Sequence, residues 1–283
     1  MTLVVRQSRF LHYNAGAFVS AGKAALIDPG ILREETEALV AELEGAEIRY
    51  VVLTHADWDH VLGPEHLPPA TIVAHSAYER DLDVEGTRAA LARLEAHAGI
   101  ARPSLFEPPR PDATFDESTT LVVGELELHL EHAPGHAASM LTVYEATGAE
   151  LWAADVLSDV EIPSIIDDLA AHERTLARIA ELEVRTLVPG HGTPTHDSTE
   201  IERRLDEDRR YLEQLRAAVE TAVAAGASLD ETAARCASVS LRRGEDDAAT
   251  HHLNVEKVYA DLGGDADPEE VGFARAWKEA TRA

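Results

Sequence analysis

Four times along this chain a short apolar run ends on imidazole or carboxylate side chains. The run "IRYVVL" leads into "THADWDH", residues 54–60, and later "APGH" ends at His136, "WAAD" at Asp155 and "VPGH" at His191. Short apolar runs bounded by glycine, proline or polar residues read as buried strands. In open α/β sheets, ligands sit beyond the carboxyl ends of such strands. Strand ends facing one rim would therefore gather His55, Asp57, Asp59, His60, His136, Asp155 and His191.

The flanking sequence fits a layered α/β body. "LVV", "AFVS" and "AALIDPG" read as strands with tight turns at Gly16, Gly22 and Gly30. "REETEALVAELEG" has helical spacing and ends at Gly45, feeding the strand before the heptad. "ATIVAH" reads as a strand and "VEGTRAALARLEAHAG" as a helix, while residues 101–115, with Pro103, Pro108, Pro109 and Pro111, read as an extended loop. Two hairpins follow, the second turning at Thr147 and Gly148, then a helix in "AAHERTLARIAELE" and a strand in "VRTLVPGHG". Beyond Asp197 the pattern turns helical, with a capping box at Ser228 and Glu231. The reading is thus an α/β domain over residues 1–196 and a helical C-terminal region, 197–283, packed on it, since no glycine-, serine- or proline-rich linker divides them.

The formal charge of −27, from 52 acidic and 25 basic residues, repels nucleic acid and anionic lipid. The lone Cys236 excludes an intrachain disulfide and reads as a small buried helix residue. No apolar stretch has the length of a membrane span or the layout of a secretion signal. The expectation is a soluble, cytoplasmic protein acting on a small molecule, with no nucleic-acid or membrane partner and with a homodimer allowed.

Imidazole nitrogen and carboxylate oxygen suit divalent zinc, iron or manganese. Seven donors exceed one tetrahedral ion and match two ions sharing a bridging carboxylate and a water. With these fragments in this order, the chain resembles the metallo-β-lactamase superfamily, and within it glyoxalase II-like metallohydrolases. The resemblance covers residues 1 to about 195 and includes "LIDPG", where the family keeps a supporting acidic residue, here Asp28. It implies a four-layer αβ/βα sandwich with metals at one edge. It also implies His55, Asp57 and His136 on one ion, Asp59, His60 and His191 on the other, and Asp155 bridging. Asp57 stands where the family's second motif histidine is usual, a harder donor that shifts preference from zinc toward iron or manganese.

The function implied is a metal-dependent hydrolase in which a metal-bridging hydroxide attacks an ester, thioester or lactone, with Asp59 orienting it or taking its proton. The alternative is a di-iron or mono-iron oxidoreductase of the flavodiiron or persulfide dioxygenase type. The remaining histidines His12, His66, His75, His97, His129, His132, His172 and His196 read as surface or capping residues. Trp58 either walls the site or packs under its loop. His251 and His252 read as part of an amphipathic helix burying Leu253, Val255 and Val258, although such segments cover the site in related hydrolases. Arg242 and Arg243 read as a solvated helix end, with a second use in meeting an anionic substrate.

Overall fold

The structure, a computed structural model, describes residues 2–100, 105–239, 241 and 243–282. Strands β1 (Thr2–Gln7), β2 (Asn14–Ser20) and β3 (Lys23–Ile27) run antiparallel. Helix α1 (Arg33–Glu42) then carries the chain to β4 (Glu47–Val52), parallel to β3, and β5 (Thr71–His75) adds parallel to β4. The short α2 (Tyr78–Asp81) and α3 (Val84–Ala98) lead to β6 (Ala113–Phe115), which completes a six-stranded sheet in sequential order.

Strand β6 corrects the expectation of loop throughout residues 101–115. Its three residues pair in parallel with Val73, Ala74 and His75. A strand this short has no alternation to read, and the prolines before it dominate the pattern. Residues 101–104, with Pro103, lie outside the described residues.

The second sheet holds the hairpin β7 (Ser118–Val123) and β8 (Leu126–His132), then β9 (Leu141–Glu145) and β10 (Glu150–Ala154). The β9–β10 turn is clasped by Glu145, whose carboxylate accepts from the amides of Thr147 at 2.9 Å and Gly148 at 2.6 Å. Helix α4 (Leu169–Ile179) crosses over to β11 (Thr186–Pro189), parallel to β10, giving the order β11-β10-β9-β8-β7. Helices α5 (Ser198–Ala224), α6 (Leu229–Cys236), α7 (Asp247–Asp261) and α8 (Gly272–Arg282) follow. The capping box of Ser228 and Glu231 starts α6. Helix α8, which sequence reading did not anticipate, follows the proline- and acid-rich "DADPEE", a stretch that reads as a terminator.

Side chains alternate across each strand, so one strand serves two interiors. In β3, Ala24 and Leu26 face α1 and α3 with Leu39 and Leu91, while Ala25 and Ile27 face the other sheet. In β10, Leu151 and Ala153 meet α4 and the C-terminal helices, and Trp152 enters the space between the sheets. Three apolar interiors therefore separate four layers, the αβ/βα sandwich expected. Leu212 and Leu215 of α5 and Val255 and Val258 of α7 join the same cluster as Leu151 and Leu187. The C-terminal helices thus share the outer core of the second sheet. Among the described residues, no helix is long and apolar enough to cross a membrane.

Candidate metal centre

The carboxyl ends of β3, β4, β8, β10 and β11 meet at one rim, and the seven side chains singled out in the sequence converge there. Three sets each offer one ligand atom per residue, all within 4.8 Å of one another: His55, Asp57 and His136; His55, His60 and Asp155; and Asp59, His60 and His191. Asp57 Oδ2 lies 3.2 Å from His136 Nε2 and 3.6 Å from His55 Nε2, and Asp59 Oδ2 lies 3.1 Å from His191 Nε2. Asp155 faces both sides. Its Oδ2 is 3.5 Å from His55, His136 and His191 Nε2, and its Oδ1 is 3.3 Å from His60 Nε2. Two ligands bound at 2.0–2.1 Å to one tetrahedral ion stand about 3.4 Å apart, so these spacings are those of a coordination shell.

The rings are turned by partners behind them. Asp28, fully buried, accepts from the Thr54 amide at 2.8 Å, from Thr54 Oγ1 at 2.6 Å and from His60 Nδ1 at 2.9 Å. With the Thr54 hydroxyl donating to Asp28, its oxygen accepts His55 Nδ1–H at 3.0 Å. His191 Nδ1 donates to the Leu11 carbonyl at 2.9 Å. Each of these rings thus has its Nδ1–H engaged behind it and turns Nε2 to the centre, the orientation a metal requires. Buried His55 Nε2, His60 Nε2 and Asp155 Oδ1 have no hydrogen-bond partner. Orphaned polar atoms of this kind cost stability unless something else satisfies them, and a divalent cation would satisfy all three.

The charges agree. Burial and His60 both act to lower the His55 pKa, yet Asp155 and Asp57 raise it to about 9. His60 and His191 are likewise raised, their carboxylates outweighing burial. Burial acts to raise Asp57, Asp59 and Asp155, but the surrounding imidazoles hold all three below the ordinary carboxylate range. Without a metal, protons play the cation's part.

Asp155 is aimed by a break in its strand. The β10–β11 register shifts between Trp152 and Ala154, and Ala154 takes a left-handed φ of 50°, which ends the ladder and swings the next residue inward. Gly190 leaves the room this needs, because a Cβ there would stand 2.0 Å from Asp155 Oδ1. Gly190→Ala is expected to lower metal affinity by about tenfold or more, read by chelator competition, while the apo protein keeps its helical circular dichroism. Unchanged affinity would show that Asp155 relaxes without cost.

Sequence reading missed Tyr13 and Asn14, which precede and open β2. Tyr13 is fully buried, donates to the Asp28 carbonyl at 2.8 Å and sets its ring edge-on to His60 and His191. Asn14 Nδ2 donates to the carbonyls of Pro189 at 2.9 Å and Gly192 at 2.8 Å, pinning the His191 loop. Both stand where a strand meets a turn, and nothing local distinguishes them from ordinary strand residues.

Three expectations are corrected, those for His172, His75 and Arg243, and the helix reading of His251 holds. His172 is no surface residue: it is fully buried on α4, one turn before Leu176. His75 is also buried, and its ring stacks on His132 at 3.7 Å. Arg243 is neither solvated nor free: only 3% of its side chain is exposed, and it pairs with Asp208 at 2.6 Å and Glu207 at 3.2 Å. Arg242 lies outside the described residues. His251 is turned away from the centre, bonded to Tyr211 and the Cys236 carbonyl. In its helix Val255 and Val258 are buried and Leu253 half-buried, and Trp58 packs partly under its loop. Cys236 is buried as expected.

A family model described as "Metallo-beta-lactamase superfamily" matches residues 9–191. The chain belongs to the metallo-β-lactamase superfamily. An uncharacterized protein of Aquifex aeolicus is 30% identical over 138 residues, 48% of this chain and 61% of that relative's length, so less than two thirds of the relative is matched. The sec-alkylsulfatase Pisa1 from a Pseudomonas species superposes with a TM-score of 0.70 at 18% identity, covering 90% of this chain and 48% of that one, and this likeness concerns the fold. TTHA1623, solved in a di-iron-bound form, is 26% identical with a TM-score of 0.51, covering 68% of this superfamily member and 93% of TTHA1623.

Proposed function

We propose that this chain is a metal-dependent hydrolase cleaving the ester, thioester or lactone bond of a small molecule. In this reading His55, Asp57 and His136 hold one divalent ion, Asp59, His60 and His191 hold a second, and Asp155 lies between them. One observation carries it: a single carboxylate, Asp155, stands 3.3 to 3.5 Å from histidines of both sets. When bound, the ions would acidify a water and polarise the scissile carbonyl.

The chain's own residues supply the rest. Asp59 Oδ2, held low by His60 and His191 against its burial, accepts and orients a proton of the attacking water. Tyr13 walls the inner side and keeps bulk water from His60 and His191. A small open cleft adjoins the centre, lined by His136, Asp155, Leu157, Glu161, Ile162 and Asp208 among others. Its described lining residues include three carboxylates and no Lys or Arg. Such a cleft suits an uncharged acyl group better than an anionic one, and Arg243, locked to Asp208, leaves an anionic tail without a partner.

A second reading, a di-iron or mono-iron oxidoreductase, is favoured by the oxygen that Asp57 contributes to the first set and by the di-iron relative TTHA1623. Elemental analysis of protein purified without added metal, wild type beside Asp57→His, separates the two. About two equivalents of zinc, with turnover of uncharged lactones or thioesters, would support the hydrolase. Iron that gives way to zinc in Asp57→His would move the assignment to redox chemistry, and no metal in either variant would remove the basis of both.

A further inference from the structure

His136 is the odd member of the ligand histidines. His55, His60 and His191 each have a partner on Nδ1, from Thr54, Asp28 and Leu11. His136 turns Nε2 toward Asp57 and Asp155, and its buried Nδ1 has no hydrogen-bond partner. Nearby lies a second anomaly: the imidazole of His172 is fully buried, and neither of its nitrogens has a partner. A buried imidazole with two unsatisfied nitrogens is costly where a leucine would pack as well.

Backbone packing brings the two together. Gly135, just before His136, takes a φ of +133°, and a Cβ there would lie 2.3 to 2.4 Å from the N, Cα and Cβ of His172. Thr175, on the same face of α4, donates to the Pro134 carbonyl at 2.8 Å. The chain before α4 is tied in as well, the Asp167 amide donating to the His136 carbonyl at 3.1 Å. The first turns of α4 therefore grip residues 134–136. A neutral imidazole keeps one bare nitrogen able to accept.

We propose that His172 is the positioning residue of His136, its imidazole accepting the Nδ1–H of that ligand across one water molecule, so that Nε2 stays aimed at the metal. The assignment rests on the metal-centre reading above. It gives His136 the same support the other three histidines receive, drawn from a helix rather than from the rim loops, and it couples the seating of α4 to the first ion's site. Partners of this kind change metal affinity by about 10- to 100-fold when removed.

The test uses the full chain loaded with cobalt(II), as wild type, His172→Phe and His172→Gln. Phenylalanine fills the volume without an acceptor, and glutamine restores one. Wild type is expected to bind about two equivalents. His172→Phe is expected to lose one site's affinity by about tenfold or more and to show an altered visible ligand-field spectrum, with His172→Gln recovering most of both. Proton NMR of the loaded wild type, a readout independent of how the variants fold, is expected to show a slowly exchanging His136 Nδ1–H. Should wild type bind no cobalt, the metal centre falls and this proposal with it. Wild-type affinity and spectrum in His172→Phe, or equal losses in Phe and Gln, would overturn the proposal alone, as would the absence of a protected His136 proton.

Discussion

Asp155→Ala is expected to empty the centre and abolish turnover. The other six donors divide into two sets, and Asp155 is the carboxylate that faces histidines from both. Its loss removes the charge that balances His55, His60 and His191 and leaves their Nε2 atoms facing one another without a carboxylate between them. Metal ions contribute several kcal/mol of transition-state stabilisation at such sites. At 1.36 kcal/mol per decade this corresponds to a loss of about 10³-fold or more in kcat/KM. Elemental analysis and the lactone and thioester panel read the two effects separately. Asp155→Asn, nearly the same shape without the charge, is expected to fall close to the alanine variant. If Asp155→Ala kept two equivalents of metal, the bridging role assigned to this residue would be wrong.

Most of the centre was legible because candidate donors at strand ends leave a local mark: a polar residue directly after an apolar run. The heptad and the fragments ending at His136, Asp155 and His191 all have it, and the fold brings them together without exception. Asp28 was found through its turn, "LIDPG", and its three accepted hydrogen bonds explain the requirement for a carboxylate there. What escaped was support drawn from distant segments. Arg243 looks like a helix-end charge until α5 delivers Asp208 and Glu207 to it. Tyr13 becomes part of the site only because β2 and β3 pair in the register that sets its hydroxyl on the Asp28 carbonyl. His172 did leave a sign: with Leu169 and Leu176 it lies on the buried stripe of α4, a face on which a surface histidine does not belong.

Stripping the metal is expected to lower the melting temperature sharply and to make the protein take up protons. A ligand at 1,000 times its Kd adds about 4 kcal/mol to stability. At roughly 2 to 4 °C per kcal/mol for chains near this size, two sites correspond to a fall on the order of 10 °C or more with chelator. In the metal-free protein, burial and His60 depress His55 but Asp155 and Asp57 prevail and raise it to about 9. Below that pH the ring holds a proton where the ion would sit, so binding releases protons at neutral pH and apparent affinity climbs with pH up to about 9. Stability of the metal-free form runs the other way. The proton on His55 contributes fully below the unfolded value near 6.5 and is lost as pH rises toward 9, because the folded state binds more protons across that window. The gap between loaded and stripped melting temperatures should therefore widen from pH 6.5 to 9, measured by thermal melts with and without chelator. A constant gap, together with binding enthalpies that do not depend on buffer ionisation, would mean that the ions do not displace protons from these histidines.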